Sequence, residues 1–145
     1  MTEFKKLKSR EIFMGRLSYG CDLLEELTSV AIQNGVGLGR VEAIGAVKTA
    51  QISFYNQTTQ TYQFLSLDHP LEITKLLGNI SLKDGNPFLH AHITLSDESG
   101  KSYGGHLAAG TIVFSCEFLV EVLDGPLFNR SLDKETGLQL WFASE

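Results

Sequence analysis

Between Ile112 and Val122 the even positions Ile112, Phe114, Cys116, Phe118, Val120 and Val122 are all apolar, while Ser115, Glu117 and Glu121 stand among the odd ones. Successive side chains of a strand point to opposite faces, so this stretch demands a sheet with one face in a core and the other wetted. It is the clearest member of a series. Glu11 to Ser18, Arg40 to Ile44, Val47 to Tyr55, Thr61 to Leu67, Leu71 to Leu76, Gly78 to Leu82 and Phe88 to Ser96 also read as strands, punctuated by Gly, Asn, Asp or Pro. Leu127 to Leu132 and Leu138 to Phe142 read as a closing pair around Asp133-Lys134-Glu135-Thr136-Gly137. One helix interrupts the β pattern. Leu23, Leu24, Leu27, Val30 and Ala31 recur at helical spacing, Asp22 is placed to cap the N-terminus with Glu25 at the capping-box position, and Gly35 stands where a C-terminal glycine belongs. Gly35-Val36-Gly37-Leu38-Gly39 lacks the strand before and the helix after that a dinucleotide fingerprint requires, and reads as a helix exit.

Length and composition limit what such a sheet serves. The chain has 145 residues, 43% hydrophobic and 20% charged, which predicts a single folded domain over 1–145 with no extended disorder. No run approaches the ~18 apolar residues of a membrane span, and Met1-Thr2-Glu3-Phe4-Lys5-Lys6 lacks the apolar stretch of a secretory signal, so the expected location is the cytoplasm, with no membrane partner. Cys21 and Cys116 are far apart and show no Cys-x-x-Cys spacing, which suggests neither a disulfide framework nor a thiolate metal knot. A net charge of −5 repels phosphate chains and counts against a nucleic-acid role. The local exception is Lys5, Lys6, Lys8 and Arg10, with Arg16 beyond them; residues 1–9 read as a flexible, solvated basic arm.

Three of the four histidines fall between positions 90 and 106. His90 and His92 are two apart and share one strand face, opposite Leu89, Ala91, Ile93 and Leu95. Asp97-Glu98-Ser99-Gly100 fits a three-residue hairpin loop, a type I turn closed by glycine in the left-handed region, pairing Asp97 with Lys101. That register sets His106 opposite His92 and leaves His90 on the diagonal. Three imidazoles converging from two paired strands, off the core face, suit a tetrahedral Zn²⁺ or another divalent ion, with the fourth position left to water or a ligand. A hydrogen-bonded polar patch is the alternative, and a one-residue error in the loop would turn His106 away. His69, alone in Asp68-His69-Pro70, reads as structural.

Gly39-Arg40-Val41-x-Ala43-Ile44-Gly45-Ala46-Val47, Leu71-Glu72-Ile73, Gly78-Asn79-Ile80-Ser81, Phe88-Leu89-His90-Ala91-His92 and Gly104-Gly105-His106-Leu107-x-x-Gly110 together resemble the PPC (plant and prokaryote conserved) domain family, from about Arg10 to Trp141. The resemblance implies an α+β fold with a mixed, mostly antiparallel sheet packed with one main helix and assembled as a homotrimer. The fold is also similar to that of acetolactate decarboxylase, in which a similar His-x-His and a later His hold zinc; that likeness supports the metal expectation for His90, His92 and His106. Prokaryotic members are described as predicted DNA-binding proteins, and plant members pair the domain with an AT-hook. Two departures weaken DNA as a partner here: no Arg-Gly-Arg-Pro hook is present, and His69-Pro70-Leu71-Glu72-Ile73-Thr74 stands where the plant domain is similar to Gly-Arg-Phe-Glu-Ile-Leu.

The leading functional class is a trimeric, metal-bearing binding or regulatory module with the DNA role the resemblance implies. The alternative is a zinc-dependent lyase or hydrolase acting on a small carbonyl or carboxylate compound, with Glu117 or Tyr103 handling protons; Glu117 qualifies only if its strand neighbours the histidine hairpin. A third class has the histidines merely bridging polar groups. No phosphate loop and no Ser-His-Asp or Cys-His arrangement in recognisable context is present.

Overall fold

The strand broken at Gly45 in the sequence pattern runs unbroken in the computed structural model, which describes residues 4–142. The elements are β1 (Lys8–Leu17), α1 (Leu23–Gln33), β2 (Gly39–Asn56), β3 (Thr61–Leu67), β4 (Leu71–Lys83), β5 (Asn86–Ser96), β6 (Ser102–Leu107), β7 (Ile112–Asp124), β8 (Asn129–Leu132) and β9 (Gln139–Phe142). Two expected pairs of short strands are therefore single long ones, β2 and β4. The reason at β2 is a bulge. Register against β4 shifts between Ala43 and Gly45, and Gly45 takes φ +145, where a Cβ would lie 2.1 Å from the Ser115 carbonyl oxygen. Glycine thus bends the strand without ending its pairing.

Strand β2 serves as the spine. Its first half pairs with β4 on one edge and β7 on the other, and its second half pairs with β3 and, through Ile52 and Ser53, with β6. Because β4 also pairs with β5, and β5 with β6, the ladders close a circuit from β2 through β4, β5 and β6 back to β2. Closure removes free edges around the histidine hairpin. Strand β1 extends the sheet beyond β7, and β8–β9 continues it beyond β4. The β4–β8 pairing is parallel and the other ladders are antiparallel, so the sheet is mixed and the fold is α+β, as the resemblance implies.

The core lies between the sheet and α1. Leu23, Leu27 and Ala31 turn inward from the helix onto Val41, Leu76, Leu89, Ile93, Leu95 and Val120 among others. Asp22 caps the helix as expected: its Oδ1 accepts from the Leu24 and Glu25 N–H groups, both at 3.0 Å, and Oδ2 accepts from Gly110 N–H at 2.5 Å. The Glu25 side chain adds no return bond among the described residues, so the cap is half a capping box. Gly35 exits with φ +62.

The strongest alternation in the sequence is corrected at its start. Cys116, Val120 and Val122 are buried, but Val113 is fully buried while Phe114 is 58% exposed. Ser115 pairs with Ala46 and Val113 with Val47, which leaves Phe114 as the extra residue of a bulge and reverses the parity before it. At the other end of the chain, Lys5 Nζ donates to the Leu127 carbonyl at 2.9 Å, Lys8 opens β1 and Arg10 pairs with Glu11 and Asp124, while Lys6 is exposed. The rest of the expected basic arm, at residues 1–3, lies outside the described residues. No helix among the described residues is long and apolar enough to cross a membrane.

Candidate metal centre

Local chemistry at Asp97 fixes the histidine register. Its Oδ1 accepts from Ser99 N–H at 2.9 Å, Ser99 Oγ at 2.7 Å and Lys101 N–H at 3.0 Å, while Asp97 N–H donates to the Lys101 carbonyl at 3.0 Å. Gly100 closes the turn with φ +81 and donates to the Asp97 carbonyl at 2.9 Å. The loop therefore has the expected length. The ladder runs without a shift from Ser96–Ser102 to His92–His106.

All three imidazoles meet on the outer face of β5 and β6. One ring nitrogen from each of His90, His92 and His106 lies within 4.8 Å of the others, and the ring centroids are 5.2 Å (His90–His92), 4.9 Å (His90–His106) and 5.6 Å (His92–His106) apart. A tetrahedral ion with Zn–N bonds of ~2.0–2.1 Å needs donors about 3.3 Å apart, within reach of ring rotations from that span. Burial is the main reason His90 is pushed down to about 4, helped by the nearby His106, Arg130 and His92 charges. Burial, then His92 and Arg130, lowers His106 as well. Neutral imidazoles with free lone pairs at neutral pH are the form a metal takes. The donor set thus fits Zn²⁺, and no carboxylate or thiol joins it among the described residues.

The walls come from elsewhere in the chain. Asn79 on β4 is the cross-strand partner of His90, and the Tyr62 ring on β3 lies 5.3 Å from His106. The β8–β9 hairpin hangs from β4 and reaches across to the β2–β3 hairpin, where Tyr55 Oη donates to the Thr136 carbonyl at 2.7 Å and Gln60 Nε2 to the Glu135 carbonyl at 3.1 Å. Below it a cleft of about 670 Å³ opens onto His90 and His92, with Leu38, Leu77, Ile80, Phe128 and Trp141 among its apolar walls. His106 also borders a second groove, of about 450 Å³, against α1.

The proposed proton-handling residues are not brought to this point. Tyr103 is three residues from His106, an odd separation that turns it to the opposite face; it pairs with buried Leu95, packs on the core and donates to Asp97 Oδ2 at 3.2 Å. Glu117 lies on β7, which neighbours β1 and β2 rather than the histidine hairpin. His69 packs edge-on to Tyr103, 6.2 Å between ring centroids. Arg130, Asn79, Tyr62 and Trp141, which do surround the histidines, carry no local sequence signal, since each arrives from a different strand.

The family model described as the Plants and Prokaryotes Conserved (PCC) domain matches residues 4–124. Among solved structures, a metal-containing protein of Archaeoglobus fulgidus is similar with 38% identity and a TM-score of 0.93, covering 98% of this chain and 100% of that one. A plant- and prokaryote-conserved protein of Pyrococcus horikoshii is 31% identical with a TM-score of 0.89, covering 100% and 99% respectively. Among curated proteins, bifunctional protein GlmU of a Synechococcus strain is 33% identical over 132 residues, which is 89% of this chain. The chain spans about a fifth of the length of the curated relatives it matches.

Proposed function

The chain belongs to the Plants and Prokaryotes Conserved (PCC) domain family, and from that premise we propose that it is a homotrimeric binding module whose His90, His92 and His106 hold one Zn²⁺ with a coordination position left open. The observation that carries this reading is the convergence of three imidazoles within 4.8 Å on an outer sheet face beside an open cleft. The metal-containing character of the Archaeoglobus fulgidus protein adds to it at 38% identity. Elemental analysis of protein purified without an affinity tag tests it. About one zinc per chain is expected, lost in His92→Ala; less than about a tenth of an equivalent, unchanged by that substitution, overturns the metal centre.

Support for self-association lies on the same face as the histidines. Directly opposed residues share a face, and one row runs Met14, Leu119, Glu42, Leu77, His92 across five strands. Met14 is 78% exposed, and Ile12, Ile44 and Leu77 around it are about half exposed, an apolar surface of the kind that marks an interface. DNA is the weaker partner. Beyond the net charge of −5, Arg40 is paired with Glu42 and Glu121, and Lys75 with Glu42. Absence of salt-dependent duplex binding removes the DNA role.

The cleft beside the open position favours a second reading, a zinc-dependent lyase or hydrolase acting on a small carbonyl or carboxylate compound. Metal-dependent turnover of small keto acids or esters separates it from pure binding. A cytoplasmic location fits the two free cysteines, Cys21 and Cys116.

A further inference from the structure

Arg130, on a strand beyond the segment matched by the family model, is held beside the histidines entirely by neutral groups. Its Nε donates to Ser81 Oγ at 2.9 Å, Nη1 to the Gln139 carbonyl at 2.9 Å and Nη2 to Asn79 Oδ1 at 2.7 Å. The guanidinium sits 5.4 Å from the Phe88 ring and 5.3 Å from the Trp141 ring. No carboxylate pairs with it among the described residues. A guanidinium has five N–H donors, so these bonds leave one on each terminal nitrogen.

Its position is set by two neighbours of His90: Asn79 is the cross-strand partner of that histidine, and Phe88 precedes it by two on the same face. Asn79, Trp141, His90 and His92 line one cleft. A half-buried cation without a counter-ion among the described residues, beside three imidazole donors and no carboxylate, leaves positive charge that an incoming anion would neutralise. The two cations that line the cleft are engaged, Arg40 with Glu42 and Glu121 and Lys5 with the Leu127 carbonyl, whereas Arg130 stands just behind its Asn79 and Trp141 wall. Two N–H donors left on one guanidinium, beside mainly apolar walls, suit one anionic head group on an apolar body, not a chain of phosphates.

We propose that Arg130 is the anion-recognition residue of the histidine centre and that the cleft takes a small monocarboxylate, its head group shared between the guanidinium fork and the open metal position. The metal half of this inference rests on the zinc reading; the fork does not.

Trp141 is the only tryptophan in the chain and lies against the guanidinium, so its fluorescence reports occupancy with or without metal. Benzoate is the probe, with neutral benzamide and inorganic phosphate as comparisons. Saturable quenching or a shift by benzoate is expected, with benzamide and phosphate at least about tenfold weaker, and with Arg130→Gln weakening benzoate by about tenfold or more. Arg130→Lys keeps the charge but loses the fork, and falls between. Equal benzoate binding by the parent and Arg130→Gln, or equal binding of benzamide, overturns the fork; phosphate binding as tightly as benzoate overturns the carboxylate class. Cobalt(II) loading separates the two readings. Benzoate altering the cobalt visible spectrum supports the shared head group, and benzoate binding that leaves the cobalt spectrum unchanged overturns the sharing while keeping the fork. Failure to load cobalt overturns the metal centre alone.

Discussion

His92 faces His106 directly across the β5–β6 ladder, with 5.6 Å between their ring centroids, and His90 completes the triangle from two residues away. Zinc held this way depends on every ligand. His106→Ala is expected to weaken zinc by at least about 100-fold in competition with a chromophoric chelator, whereas Thr94→Ala, on the same face but outside the triangle, leaves affinity within about twofold.

The acid response of the metal-free protein follows from His90. Its folded value is about 4, below the ordinary 6.5, so below about pH 6.5 the unfolded chain takes up a proton that the folded chain refuses. The contribution of this residue to stability is full above that range and is lost as pH falls from about 6.5 to about 4. Ring resonances of His90 followed by NMR are expected to titrate with a midpoint near 4; a midpoint near 6.5 contradicts the burial of the ring.

Gly45 is the joint of the longest strand. Gly45→Ala would place a methyl 2.1 Å from the Ser115 carbonyl oxygen at φ +145, and is expected to cost about 3 kcal/mol or more in urea unfolding. Gly100→Ala, also at positive φ but with open space around it, is expected to cost about 1 kcal/mol. A smaller loss at Gly45 than at Gly100 contradicts the bulge.

If copies of this chain assemble through the histidine-bearing face, light scattering of the parent gives about three times the 16.0 kDa chain mass, and Met14→Glu with Leu77→Glu shifts it toward the single-chain value. A parent that scatters as one chain contradicts the trimer.

How much of this was legible in advance depended on the range of the interactions involved. The Asp22 cap, the Asp97–Lys101 turn and the pairing of His92 with His106 each depend on residues a few positions apart, and the turn chemistry alone propagates the register to the histidines. Phe114 and the uninterrupted β2 were not legible, because bulges are set by what the neighbouring strand presents rather than by the alternation within one strand. Tyr103 shows the same limit within a hairpin: closeness in number to His106 meant little once parity turned the two to opposite faces.

By itself the sequence determined that a hairpin with this turn carries three imidazoles on one side and Leu89, Ala91, Ile93 and Leu95 on the other, since side-chain direction in a strand alternates with a period of two and the loop length is local chemistry. Only the tertiary structure decided what faces those imidazoles. Asn79 from β4, Tyr62 from β3, and Arg130 and Trp141 from the C-terminal hairpin reach them because the sheet closes through β2 and β8 pairs with β4, through contacts such as that between Asn79 and Arg130, 51 positions apart. Such long-range contacts are selected by the packing of the whole sheet, and no short stretch of sequence contains them.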